Sequence, residues 1–275
     1  MRTAPVSRRG CPAVILVAHG SRDPRAAAAT TALSRAVQLA QPDWDVSASY
    51  LDHAGPRPLE VLGSLGRRRA VLVPLLLTAA YHGRVDVPAV LEAARPLPVE
   101  VSLADVLGPV SALLLDALVR RLGDAARSDA GLGGSGLGGF GLGDASLGGA
   151  GVGGVGLDAV VLAAAGTRDA AARETVAEAA EALGVRLGVP AAVAYASAAP
   201  PTAGAAVERL RAAGARRVAM SSYFLAPGRL HDVAVASALE AGAIAIAPPL
   251  TDAPELVRLV TARVEASLGA DLIAA

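Results

Sequence analysis

No lysine occurs among the 275 residues, so all 25 basic side chains are arginine. That absence excludes a Schiff-base lysine and a Walker-type phosphate loop, both of which need the amine. The abundance of alanine, glycine and proline beside arginine points to a coding bias, although arginine also suits bidentate binding of carboxylates. Cysteine is nearly missing too. Cys11 alone rules out an internal disulfide framework and suits a reducing compartment. Neither sign of charge prevails, since 25 acidic residues balance the arginines, which predicts no surface for nucleic acid. No apolar run approaches the roughly 18 residues of a membrane span. Arg8-Arg9 opens like an export signal, but the apolar run Ala13–Ala18 is shorter than the roughly 7–15 residues such a signal needs. The chain reads as cytoplasmic, with no membrane or nucleic-acid partner, and is long enough for one large or two ordinary domains.

What is present centres on one stretch, Val14-Ile15-Leu16-Val17-Ala18-His19-Gly20-Ser21-Arg22-Asp23-Pro24. The aliphatic run suits a strand buried on both faces. Gly20 permits a sharp turn, Asp23 can cap the N–H groups that follow, and Pro24 fits the first position of a helix. His19 is therefore expected at the carboxyl end of a buried strand, where open α/β sheets place their ligand sites.

The stretch recurs as Val160-Val161-Leu162-Ala163-Ala164-Ala165-Gly166-Thr167-Arg168-Asp169, with Ala165 in the place of His19. Two further blocks repeat in the same order. Ser49-Tyr50-Leu51-Asp52-His53-Ala54-Gly55-Pro56 resembles Ala194-Tyr195-Ala196-Ser197-Ala198-Ala199-Pro200, and the run from Arg68 to Leu77 resembles that from Arg216 to Leu225. A repeat this long marks two similar domains rather than a solenoid.

Within the first copy, strands are expected at 13–18, 45–51, 70–77 and 98–103, with helices at 24–40, 58–65, 87–95 and 110–122. On the helix 58–65, Leu59, Leu62 and Leu65 share a face. Four βα units imply a parallel sheet with right-handed crossovers and helices on both faces. From Gly123 to Gly156 the composition collapses to Gly with Leu, Ala, Ser and Asp, and is expected to be a mobile linker. The fold expected is thus α/β: two similar domains, 13–122 and 158–268, each a four-stranded parallel sheet flanked by helices, joined by the linker 123–157.

His19, Asp52 and His82 stand at three successive strand ends, which share one edge of a parallel sheet. Two imidazoles and a carboxylate can hold a divalent first-row metal with positions left open. In isolation each is better read as a surface or loop residue; it is the coincidence of three, in a chain of four histidines, that points to a site.

These residues carry a family resemblance. VAHGSRDP after the first strand, SYLDHAGP after the second and VPLLLTAAYHGRVDVP after the third resemble the CbiX/SirB-type sirohydrochlorin chelatases, class II enzymes that insert cobalt or iron into a tetrapyrrole without ATP. The likeness covers about residues 13–122 well and 158–268 more loosely, as in long duplicated members. It implies catalytic roles for His19 and His82, which would bind the metal and take protons from pyrrole nitrogens, and a metal-associated carboxylate at Asp52. Where the family has Glu, this chain has the shorter Asp, with His53 beside it as a possible substitute. Gly20, Ser21, Arg22 and Arg84 would contact the substrate, with Arg168 and Arg229 opposite as the alternative partners for its carboxylates. No organic cofactor is implied; the metal is a substrate. The second copy keeps His231, within a residue of the place of His82, but not the first-strand histidine. A single active site is expected, with the second domain walling its cleft in a monomer of two pseudo-symmetric domains.

Two rivals stand beside this reading. A histidine phosphatase also places a histidine after its first strand, but in an Arg-His-Gly motif, and here Ala18 precedes His19. A metal or tetrapyrrole carrier would use the same residues without turnover. Sequence does not choose cobalt over iron, nor cobalamin over siroheme as the pathway served.

Overall fold

A computed structural model describes residues 11–78, 86–132 and 156–274. The first copy contributes β1 (Ala13–Ala18), α1 (Pro24–Ala40), β2 (Asp45–Tyr50), α2 (Pro58–Ser64), β3 (Arg69–Pro74), α3 (Val87–Ala94), β4 (Glu100–Leu103) and α4 (Ala112–Leu132). The second contributes β5 (Ala159–Ala164), α5 (Ala170–Leu187), β6 (Ala191–Tyr195), α6 (Ala203–Ala212), β7 (Val218–Tyr223), α7 (Arg229–Glu240), β8 (Ala245–Ile246) and α8 (Pro254–Ala274). Each forms a four-stranded parallel sheet, ordered β2-β1-β3-β4 and β6-β5-β7-β8. The expected architecture is present in both copies.

Burial explains the strand sequences. Val14, Ile15 and Leu16 of β1 are wholly buried, each removing enough apolar surface from water to contribute roughly 1.5–3 kcal/mol. Alternation divides them between two cores. Val14 and Leu16 face one large core that runs without a break into Val160 and Leu162 of the second sheet. Ala13, Ile15 and Val17 face a smaller core with Leu62 of α2 and Ala94 of α3. Of the three leucines expected on one face of α2, Leu62 alone is fully buried and Leu59 is exposed, because seven residues make too short a helix for a wide stripe.

Three boundaries differ from the sequence reading. β3 stops at Pro74, where the chain turns as the Leu76 N–H donates to the Pro74 carbonyl at 2.9 Å. The Leu75 N–H still donates to the Val17 carbonyl of β1 at 2.8 Å, and Leu76 and Leu77, apolar enough to suggest strand, lie past the ladder. The helix expected to end at Leu122 continues to Leu132. Leu114, Leu118, Leu122 and Ala125 form one buried stripe that carries the helix through Gly123, offsetting the roughly 1 kcal/mol that glycine costs there. Third, β8 is two residues long, Ala245–Ile246, where the apolar run 244–247 suggests a longer strand.

The larger difference is where the closing helices go. α4 packs on β7 and β8 of the second sheet, and α8 packs on β3 and β4 of the first. Each copy thus lends its last helix to the other, and the two helices also pack together. Polar links fix the exchange: the Arg120 Nε–H of α4 is shared between the two oxygens of the buried Glu255 carboxylate on α8 at 2.8 and 2.9 Å, with an Nη of the same guanidinium 2.7 Å from Oε1. Arg121 donates to the Leu250 carbonyl at 2.8 Å, and Arg186 of α5 pairs with Asp116 of α4 at 2.7 Å.

Candidate metal centre

The β1–α1 turn is built by close approach. Gly20 has φ +96°, and a side chain there would put its Cβ 1.8 Å from the Asp52 carbonyl oxygen. Only glycine allows that contact. Next to it the Asp52 N–H donates to the His19 carbonyl at 2.7 Å, extending the β1–β2 pairing past the strand ends. The Ser21 hydroxyl accepts from the Asp23 N–H at 3.0 Å, and the Asp23 carboxylate accepts from the Arg25 N–H, capping α1 ahead of Pro24. Gly20 and Ser21, expected at the substrate, both shape this turn.

On this frame His19 is exposed at the strand end, with Asp52 and His53 beside it on the β2–α2 turn. The Asp52 carboxylate accepts from the His53 backbone N–H at 2.7 Å, and its other oxygen stands 3.5 Å from His53 Nε2. The His19 and His53 rings are 6.3 Å apart, edge to face. Arg57 lies 3.7 Å from the same carboxylate and donates to the Leu51 carbonyl. The His53 N–H holds the Asp52 carboxyl below its usual range against desolvation, with the charges of His53, Arg57 and His19 each adding less. It is an ionised carboxylate at neutral pH. Arg22 is exposed on the turn. His82 and Arg84 lie outside the described residues. Among the described residues, no three His, Cys, Asp or Glu side chains are already closed around a point that could hold an ion.

The second copy repeats this backbone without its chemistry. Gly166 has φ +94° and would set a Cβ 1.9 Å from the Ser197 carbonyl oxygen. Thr167 accepts from the Asp169 N–H at 3.1 Å, as Ser21 does from Asp23. Ala198 has φ +62°, matching His53 at φ +60°. In the positions of His19, Asp52 and His53 stand Ala165, Ser197 and Ala198, and the Ser197 hydroxyl simply donates to the Ala165 carbonyl at 2.8 Å.

Strand register also places His231. Val17 pairs with Pro74, and its counterpart Ala163 pairs with Ser222. Nine residues beyond Pro74 is Gly83, and nine beyond Ser222 is His231, so His231 falls one place past His82. It is largely buried, with Nε2 3.1 Å from the Ser222 hydroxyl, which itself donates to the Ala247 carbonyl. The hydroxyl proton is thus committed, so His231 donates from Nε2; burial pushes its pKa down, against the opposing pull of the Asp232 carboxylate 3.7 Å from Nδ1.

Sequence reasoning missed two features here. Arg25 reaches from Asp23 at 2.6 Å to Asp232 of α7 at 2.5 Å, tying the two copies together beside the turn. A cavity of about 350 Å³ lies between Leu75–Thr78 and the ends of β5–β7, lined by Ala165, Tyr195, Tyr223 and Phe224. The Tyr223 hydroxyl crosses it to donate to the Leu77 carbonyl at 3.2 Å. Both features join residues from the two copies, and no local pattern announces such a meeting. On the second copy's side the cavity adjoins Ala165, and His19 is not among its lining residues.

A family model described as CbiX matches residues 13–125 and again 159–267. Among curated proteins none matches the sequence. The fold is similar to SirB from Bacillus subtilis with Fe3+, at 18% identity and a TM-score of 0.68, covering 94% of this chain and 95% of that one. It is likewise similar to the sirohydrochlorin chelatase SirB from Bacillus subtilis subspecies spizizenii in complex with cobalt, with 18% identity, a TM-score of 0.65 and the same coverage. A third likeness is to CbiX, the terminal enzyme for biosynthesis of siroheme in denitrifying bacteria, at 18% identity, a TM-score of 0.61 and coverage of 92% and 98%. No helix among the described residues is long and apolar enough to cross a membrane.

Proposed function

Because the chain belongs to the CbiX family, we propose that it inserts a divalent metal ion, cobalt or iron, into sirohydrochlorin without ATP, as a step toward cobalamin or siroheme. One observation carries the proposal. The strand-end turn is kept in both copies to the level of its glycine, its cap and its left-handed residue, yet an imidazole and a carboxylate occupy it only at His19 and Asp52.

Metal insertion exchanges two pyrrole N–H protons for the ion, so it needs a base within hydrogen-bond reach of the macrocycle and ligands weak enough to release their cargo. In this reading His19 receives a proton on its exposed ring, with His82 as the second imidazole. Asp52, ionised at neutral pH, balances charge on the ion. His19, Asp52 and His82 present the metal; Gly20 and Ser21 set the turn at the substrate's edge; Arg22 and Arg84 face its carboxylates, for which guanidinium forks are well suited. The first copy, 13–122, carries the site, and 158–268 supplies the facing wall and the helix α8. The protein works as a cytoplasmic monomer, with no nucleic acid and no organic cofactor in the reaction.

Mixing the full chain with sirohydrochlorin and Co²⁺, and separately with Fe²⁺ without oxygen, tests this through the visible spectrum. Many turnovers per chain are expected. Binding that stops at one equivalent would instead establish a carrier, and phosphatase activity without metallation would establish the other rival. The ratio of the two rates assigns the metal.

A further inference from the structure

We infer that His53 is a ligand to the incoming metal, forming with Asp52 a two-toothed capture site beside His19. The argument rests on distance. Asp52 Oδ2 and His53 Nε2 stand 3.5 Å apart. That is too long for a good hydrogen bond. Two donors each about 2.1 Å from one tetrahedral ion stand about 3.4 Å apart, which is the spacing found. An ion between them would displace water from itself and keep open positions for His19, whose ring is 6.3 Å from that of His53.

Backbone conformation supports the same assignment. At φ +60° His53 sits in the left-handed region, which non-glycine residues seldom occupy. The fold demands this conformation, because Ala198 takes it in the second copy with no chemistry attached. The imidazole is therefore not needed to make the turn, and its partner contact with the carboxylate is additional to it. The hydrogen bond to Asp52 Oδ1 comes from the backbone N–H of His53 and would survive loss of the ring. The pair is exposed and open, which suits an ion that must be passed on rather than kept.

The inference rests on the chelatase reading only for the destination of the metal. Its test is binding of Co²⁺ alone to the full chain, followed by the visible absorption of the bound ion, in the wild type, His53→Ala, His53→Asn and His19→Ala. Ala198 shows that alanine fits this backbone, and asparagine tolerates it as well. Changes to outer-shell partners cost about 10- to 100-fold in metal affinity, and loss of a ligand costs no less. Both His53 variants should therefore weaken Co²⁺ binding by at least about tenfold and alter its spectrum. Unchanged affinity and spectrum in both would overturn the inference. If His19→Ala still weakens binding in that event, the chelatase reading stands alone; if no variant changes binding, that reading falls with it. If the His53 variants lose Co²⁺ and His19→Ala does not, the capture site holds and His19 is left with proton transfer.

Discussion

The two β–α turns of this molecule have one backbone and two contents. Around Gly20 and around Gly166 the same carbonyl presses on the same glycine, the same short hydroxyl and aspartate cap the next helix, and the same left-handed residue follows. Tyr50 and Tyr195 repeat as well, each donating its hydroxyl to a carbonyl of the helix after the first strand, at 3.3 and 3.1 Å. His19, Asp52 and His53 do not repeat. What packing and hydrogen bonding require is present twice, and what only chemistry requires is present once. The comparison separates neighbouring residues that a motif lumps together: the Gly and Ser of HGSRDP have counterparts that shape the second turn, and its His has none.

The largest effect expected is on activity. His19→Ala should lower metal insertion by about 10²- to 10⁴-fold, the usual contribution of a positioned acid or base, with no change in Tm. Adding Ala165→His to that variant should restore nothing, because Ser197 and Ala198 supply neither carboxylate nor second imidazole. Recovery of activity in the double variant would break the comparison, since the second turn would then be a competent site lacking one residue.

Next come the glycines, where the two turns should respond alike. Gly20→Ala and Gly166→Ala each force a Cβ to within 2 Å of a carbonyl oxygen at positive φ. The conformation alone costs on the order of 1–3 kcal/mol, and the clash adds to it. Thermal unfolding should show Tm lowered by at least about 5 °C in both variants. A loss confined to Gly20→Ala would mean that the second turn is no longer held by its packing.

A smaller effect belongs to the histidine of the second copy, His231. His231 is neutral and buried, and its pKa in the fold is below its unfolded value. Between those two values the unfolded chain binds more protons, so stability falls as pH drops below about 6.5. His231→Gln should flatten that part of a Tm-against-pH curve. A curve unchanged by His231→Gln would remove the buried-neutral assignment.

Much of this was legible from residues alone. Gly20, Asp23 and Pro24 announce a strand, a turn and a helix start, and the missing histidine at Ala165 already distinguishes the copies. The left-handed His53 was not legible, because its conformation is set by the turn that brings Asp52 onto Gly20, a contact between distant segments. Nor was the helix exchange. The stripe Leu114, Leu118, Leu122 says that α4 is buried on one face, but hydrophobicity does not say against which of two similar sheets. Gly123 misled about the end of α4 because composition weighs a glycine the same whether or not a stripe runs through it.

That exchange yields the smallest effect and the sharpest test of how the copies depend on each other. Suppose the chain is cut between Leu132 and Gly156. α4 still lies on β7 and β8, α8 still lies on β3 and β4, and Arg120 still grips Glu255. One apolar core runs through both copies, so neither part can leave without exposing it. Cutting the connection makes the association depend on concentration, in place of the millimolar effective concentration a flexible link supplies, and the shared core is what must hold the parts together. The cut protein should run on size exclusion at the mass of the intact chain, with insertion activity near that of the uncut protein. Residues 1–132 alone should instead pair with a second copy, each lending α4 to the other in place of the missing α8. Separation of the cut protein into single parts at micromolar concentration would show that the exchanged helices do not hold the copies together, and the first turn would then have to work without its facing wall.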